Sequence, residues 1–198
     1  MLICIPVEEL GQFEKQKYES GTALFHAQNI FLLAVKLAGT RIEDMLMMKV
    51  KNITGGRITF NMKKGNAKGR LKSFKIGDKI QSILNHYVTE KSKPNDLIFP
   101  FMPPAIDTFS RPEYKKEIGR KTSLINKYLK AIADDASIGK TITTHISRHS
   151  FASAALRKTK DVKALQEALG HSDPKMTIEY LKELNIENLD EMMETIDI

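Results

Sequence analysis

TALFHAQNIFLLAVKLA, residues 22–38, is the stretch on which the fold turns. Ala23, Ala27, Ile30, Ala34 and Leu37 recur at helical spacing, with Leu24, Phe31 and Leu33 beside that stripe. A helix apolar on so many sides belongs inside a core, so the other elements are expected to pack around it. A first helix is read over 8–20. Gly39 is placed to end the central helix, and Thr40 to cap a short one over Arg41–Met48. Three strands are expected at about 49–53, 57–63 and 70–76, separated by Thr54-Gly55-Gly56 and Gly65-Asn66-Ala67-Lys68-Gly69. Gly77–Thr89 returns to helical spacing through Ile80, Ile83, Leu84 and Tyr87. The proline-rich stretch Lys91–Pro112 reads as strand and loop. Helices are then expected over 114–135, Ile142–Lys158, Val162–Leu169 and Pro174–Leu184, and a tail over Ile186–Ile196 carries an apolar stripe. The predicted fold is mainly α with a small three-stranded antiparallel sheet.

The composition, 41% hydrophobic and 28% charged, is that of an ordinary globular protein. No apolar run reaches the roughly 18 residues a membrane span needs. The opening Met1–Pro6 lacks the basic start of a signal peptide. Cys4 is the only cysteine, so no disulfide forms within these residues, and a reducing cytoplasm is the expected compartment. The net charge of +7 is unevenly spread. Lys49 to Lys79 holds ten basic residues against Asp78 alone, whereas Glu183 to the end holds six acids and no base. A basic middle suits a polyanion, and an acidic tail suits a protein partner.

Two segments carry candidate chemistry. In Thr144-His145-Ile146-Ser147-Arg148-His149-Ser150-Phe151, His145 and Arg148 are three apart and would share a helix face. Thr143 or Thr144 is a natural N-cap, which puts both side chains near a helix start, where phosphate is attracted. A guanidinium grips two phosphate oxygens at once, and an imidazole donates to one or shuttles a proton. Taken alone, the segment reads equally well as a solvated helix start. In Ala168-Leu169-Gly170-His171-Ser172-Asp173-Pro174, Gly170 is a helix C-cap signal and Pro174 a helix-start signal, so His171 falls in a tight corner. Tyr180 follows about two turns later. By itself it reads as packing.

Together the segments resemble the tyrosine recombinase (phage integrase) family. The run His145-x-x-Arg148-His149, then Leu169-Gly170-His171, then Tyr180 nine residues beyond, is similar to that family's C-terminal signature. Ala38-Gly39-Thr40-Arg41-Ile42-Glu43-Asp44-Met45 resembles its first arginine motif, and Lys63-Lys64-Gly65-Asn66 falls where the family has its strand-turn lysine. The order agrees from about Val7 to Leu184. The resemblance implies the recombinase catalytic-domain fold, shared with type IB topoisomerases. It implies a site-specific recombinase that cleaves and religates DNA through a 3′-phosphotyrosyl intermediate, for integration, excision or inversion of a DNA element. By the same resemblance Tyr180 is the nucleophile, and Arg41 and Arg148 clamp the non-bridging oxygens. His145 and His171 hold the phosphate, Lys64 protonates the departing 5′-oxygen, and Asp44 orients Arg41 by charge pairing. Lys63, adjacent to Lys64, competes for the general-acid role. Arginine and lysine supply the positive charge and the phosphotyrosine keeps the bond energy, so no metal, cofactor or ATP is expected.

Double-stranded DNA is the expected partner, with Lys63, Lys68, Arg70 and Lys72 of the basic turn against its backbone. A tetramer of protomers on DNA is expected, in a bacterial or phage cytoplasm at the nucleoid. Residues 1–184 are read as the catalytic domain and 185–198 as a tail helix docking on a neighbouring protomer. The family's N-terminal core-binding domain is not recognised ahead of Val7, and the chain is read as a fragment. Three rivals stand beside this reading: a metal nuclease using His145, His149 and His171, a DNA-binding module that has lost catalysis, and a relaxing topoisomerase.

Overall fold

The computed structural model describes residues 5–63, 70–159 and 161–170. Seven helices and three strands are found among them: α1 (Val7–Lys15), α2 (Ala23–Lys36), α3 (Ile42–Leu46), β1 (Ile53–Thr54), β2 (Arg57–Asn61), β3 (Leu71–Lys75), α4 (Asp78–Leu84), α5 (Arg111–Asp135), α6 (Ile146–Thr159) and α7 (Val162–Leu169).

The central position expected of α2 is what the structure has. Thr22 caps it by accepting from the Phe25 N–H at 3.3 Å, and Ala27 through Ala34 are buried without a break. Around it close Phe13 of α1, Met45 and Leu46 of α3, Ile58 of β2, Leu84 of α4, and Ile125, Leu129 and Ile132 of α5. Phe13 and Phe31 meet with ring centroids 5.0 Å apart. Each such buried side chain contributes roughly 1.5–3 kcal/mol against exposure. A second, smaller cluster joins α6 to α7 through Ala152, Leu156, Leu165 and Leu169.

The sheet is antiparallel in the order β1-β2-β3. Gly55 and Gly56, both at positive φ, make the two-residue turn between β1 and β2 that hairpin twist favours. Three of the boundaries that differ from the sequence reading have a plain local cause. The first strand, expected over 49–53, keeps only Ile53–Thr54, because Val50–Asn52 winds into a 3-10 turn. There Asn52 Oδ1 accepts from the Lys49 N–H at 2.8 Å, and the Val50 and Lys51 N–H groups donate to the Asp96 and Pro94 carbonyls instead of to β2. The first helix ends at Lys15 rather than near 20, where Gln28 Nε2 of α2 reaches across to the Phe13 and Gln16 carbonyls, both at 2.8 Å. Helix α5 starts at Arg111, inside the proline-rich stretch, because Ser110 and Glu113 form a reciprocal capping box with Pro112 in the first turn. The helices expected over Pro174–Leu184 and Ile186–Ile196 lie outside the described residues.

Candidate active site

The loop between α2 and α3 is the most constrained piece of backbone in the site. Ala38 and Gly39 both have positive φ, 55° and 62°. The turn is locked by the Thr40 hydroxyl, which donates to the Leu37 carbonyl at 2.5 Å, and by the Thr40 N–H on the Ala34 carbonyl at 3.2 Å. Thr40 was expected to cap α3. Its hydroxyl is spent on the end of α2 instead, and Arg41 occupies the N-cap position without a capping side-chain bond.

That turn seats Arg148. A Cβ on Gly39 would lie 2.6 Å from Arg148 Cα, so only glycine permits the approach. Arg148 is 4% exposed, and its Nη1 donates to the Gly39 carbonyl at 3.2 Å. Its Nη2 donates to the Leu169 carbonyl at 2.5 Å, at the end of α7. Both bonds fix the plane of a guanidinium fork whose geometry suits paired oxygens. Arg41, two residues beyond Gly39, is half-buried, and its Nη1 is fully buried with no hydrogen-bond partner among the described residues. A buried cationic donor without an acceptor is costly unless an anion completes it.

Asp44 is 5% exposed and was expected to pair with Arg41. Its Oδ1 accepts from the backbone N–H of Lys63 at 3.0 Å, and no ion pair joins it to Arg41 among the described residues. Burial pushes its carboxyl above the usual range, and the Lys63 N–H opposes this more than the Arg41 charge does. Asp44 therefore pins the end of β2 where the basic turn begins. Lys63 directs its ammonium at Tyr114 of α5, 3.4 Å from the hydroxyl and 5.4 Å from the ring centre. Lys64 and Lys68 lie outside the described residues. Arg70 is exposed. Lys72, grouped in sequence with the outward basic turn, is 8% exposed and turned inward, donating to the Ala168 carbonyl of α7.

Helix α6 begins at Ile146, four residues later than expected, so His145 lies in the turn just before it, exposed. The start is fixed by Asn126 of α5, whose Oδ1 accepts from the Thr144 N–H at 2.8 Å, and by Ser147 Oγ donating to the Thr144 carbonyl at 2.8 Å. The His145 and His149 rings meet edge-on at 4.5 Å. Burial, then the charges of His145 and Arg148, hold His149 down to about 4, so its ring is neutral near pH 7. Helix α7 is capped by Asp161, accepting from the Ala164 N–H at 2.9 Å, and ends on Gly170 at φ +68°, the C-cap the sequence indicates. His171 and Tyr180 lie outside the described residues. The structure thus brings Arg148 and the inward Lys72 to α7's end, with Arg41 near enough to act on the Lys72 charge and His145 at the start of α6.

Burial and the neighbouring Arg148 and Arg41 charges hold the Lys72 ammonium down to about 8. Three cations share this region with Asp44 as the opposing charge. Such a cluster raises the free energy of the empty site and lowers that of a site holding a polyanion.

A model of the phage integrase family matches residues 7–185. Among curated proteins, the tyrosine recombinase XerD of Listeria monocytogenes serotype 4b (strain F2365) is 28% identical over 152 residues, covering 70% of this chain and 50% of that protein. The tyrosine recombinase XerA of Pyrococcus horikoshii is 25% identical over 155 residues, covering 77% and 49%. The chain spans about half the length of these curated relatives. Among solved structures, the XerH site-specific recombinase bound to palindromic difH substrate, a post-cleavage complex, superposes with a TM-score of 0.66 at 22% identity, over 97% of this chain and 52% of that one. A lambda integrase (75–356) dimer bound to a COC′ core site gives 0.56 at 15% identity, over 89% and 58%. These likenesses bear out the fold read from the sequence.

Proposed function

Since the chain belongs to the phage integrase family, we propose that it is the strand-cleaving and rejoining part of a site-specific DNA recombinase. Tyr180 attacks the scissile phosphate, and the sugar 5′-oxygen leaves as a 3′-phosphotyrosyl bond forms. Attack by a 5′-hydroxyl on that bond reverses the chemistry and rejoins a strand. Bond count is conserved in each direction, so neither ATP nor a hydrolytic step enters.

The observation that carries this reading is the pairing of Arg148 with the Gly39 turn, next to an Arg41 whose buried Nη1 has no partner among the described residues. Two guanidinium groups fixed this way are set to meet the charge that builds on the non-bridging oxygens of a five-coordinate phosphorus. Arg148, held on the Gly39 and Leu169 carbonyls, needs little rearrangement when DNA arrives. His145, exposed at the start of α6 with its ring against that of His149, suits a phosphate contact. His171, following the Gly170 C-cap, is its proposed partner. Lys63 is occupied by Tyr114 and supports Asp44's grip on the hairpin, which favours Lys64 as the general acid. Arg70, Lys68 and the turn around them meet the DNA backbone; Lys63 contributes at its root.

The proposed substrate is double-stranded DNA, cleaved within a tetramer of protomers, with the tail beyond residue 184 docking on a neighbouring protomer. A bacterial or phage cytoplasm is the proposed setting. No helix among the described residues is long and apolar enough to cross a membrane.

The test is a covalent trap. The chain is mixed with a pool of nicked duplexes with randomised arms, so that cleavage releases a short fragment and leaves protein on DNA. Wild type is expected to give an adduct that survives denaturing electrophoresis, and Tyr180→Phe to give none while still shifting DNA in a native gel. An adduct that persists in Tyr180→Phe removes the nucleophile from this reading.

A further inference from the structure

Lys72 is a buried cation that the reaction above does not use. Along β3 the side chains alternate, with Leu71 62% exposed and Lys72 inward, so the pleat drives this ammonium into the protein. In the β2–β3 register Lys72 stands opposite Phe60, and its Nζ lies 5.7 Å from the Phe74 ring centre. A methionine or leucine would fill that space without the cost of desolvating a charge. Two guanidinium groups nearby make the cost larger. A lysine kept against both penalties needs a compensating contact.

That contact is the end of α7. Lys72 Nζ donates to the Ala168 carbonyl, and Arg148 Nη2 donates to the next carbonyl, Leu169, at 2.5 Å. The last carbonyls of a helix lack intrahelical donors and form the negative end of its dipole. Two cations from different elements, β3 and α6, thus hold adjacent carbonyls of the last turn of α7. One residue later the chain passes through Gly170 toward His171 and Tyr180. The same Arg148 reaches the Gly39 turn beside Arg41, so the α7 anchor and the arginine pair share one cation.

We propose that Lys72 is a positioning residue for strand cleavage, its ammonium fixing the end of α7, and so the point from which the chain leaves for His171 and Tyr180, relative to the Arg41–Arg148 pair. This rests on the recombinase reading above. Every charged group facing Lys72 bears on it: Arg148 from α6, Arg41 and Asp44 from the α3 region, and Arg70 from its own hairpin. Three of the four repel it, so its charge is most secure when a phosphate anion joins the cluster. The ammonium is charged below about pH 8 and is lost above it. The anchor is therefore intact near neutrality and fails as pH rises in the DNA-free protein.

The same covalent trap tests this with wild type, Lys72→Met and Lys72→Arg, at subsaturating DNA so that rates report ionisation in the free protein. Wild-type adduct shows that the recombinase reading stands; its absence would sink that reading and not distinguish the variants. Given that adduct, Lys72→Met is expected to be slower by about tenfold or more at pH 7, about the loss expected of a charge-assisted hydrogen bond. Lys72→Arg, which keeps its proton at high pH, should recover to within about threefold. The wild-type rate should fall relative to Lys72→Arg as pH rises above 8, levelling off near the loss seen for Lys72→Met. Parallel pH profiles for wild type and Lys72→Arg, or a folded Lys72→Met within twofold of wild type, overturn the proposal. Should Lys72→Met fail to fold, the wild-type and Lys72→Arg profiles alone decide it.

Discussion

Two helices deliver carbonyl groups to the neighbourhood of Arg148, and they stand on unequal foundations. The turn after α2 inherits the main core, since Ala27 through Ala34 are buried continuously and packed on by α1, α3, α4 and α5. Helix α7 buries Leu165 and Leu169 against Ala152 and Leu156 of α6. What keeps α7 in register is mostly polar: Arg148 on Leu169, Lys72 on Ala168, and the Asp161 cap. The arginine side of the site is therefore set by packing, and the α7 side by tethers that an arriving anion can strengthen. Regions with few apolar contacts open at lower free energy than the rest of a molecule, and α7 has that character by construction.

The widest gap between the two regions should be visible in the core itself. Phe31→Ala empties a site packed against Phe13 and is expected to lower global stability by about 3–5 kcal/mol. Leu165→Ala, in the smaller cluster, should cost about 2 kcal/mol, the low end for such truncations. Its effect should appear as faster amide exchange over Val162–Leu169, with the urea midpoint moving less than for Phe31→Ala. Equal midpoint shifts would mean that α6–α7 unfolds with the main core, and the division drawn here would fall.

Gly39→Ala attacks the join between the regions. The left-handed backbone and the 2.6 Å approach to Arg148 Cα each penalise a methyl group, together about 2–3 kcal/mol. Relief is available only by moving Arg148, so adduct formation should fall by about 100-fold, as when a preorganised charge-stabilising donor is displaced. A variant destabilised to this extent but cleaving at the wild-type rate would show that the Gly39–Arg148 contact serves folding alone.

How much of this was legible beforehand divides along the same line. The central helix, the Gly39 and Gly170 turns and the helix-face position of Arg148 follow from local spacing, whereas Arg41 is singled out only by the resemblance to the integrase family. The Asp44 bond to the Lys63 amide joins positions 19 apart across an unrelated turn, and nothing local announces it. Lys72 stands in a run of cations that reads as a solvated face, yet its side chain is buried. The signal that places it inward was present: the pleat puts it on the face of Phe74 and opposite Phe60, and period two outranks charge there. The start of α5 was similarly obscured, since its prolines read as loop while Ser110-Arg111-Pro112-Glu113 already spelled a capping box. The late start of α6 depends on Asn126, a residue of another helix, and lay beyond sequence reasoning.

The smallest effect is the sharpest probe of the tethered side. Asp161 caps α7 at the end opposite the Lys72 and Arg148 contacts, accepting from the Ala164 N–H. Asp161→Ala removes that acceptor and a favourable charge at the helix start, a loss of about 1 kcal/mol. In a helix set by packing such a change would be absorbed into global stability. In α7, whose buried residues are Leu165 and Leu169 alone, it should increase local opening by about fivefold, the factor that 1 kcal/mol commands. Amide exchange over Val162–Leu169 should quicken by that factor while α2 amides keep wild-type rates. Uniform acceleration across both helices would instead make α7 an integral part of the core, and its polar contacts to Lys72 and Arg148 redundant.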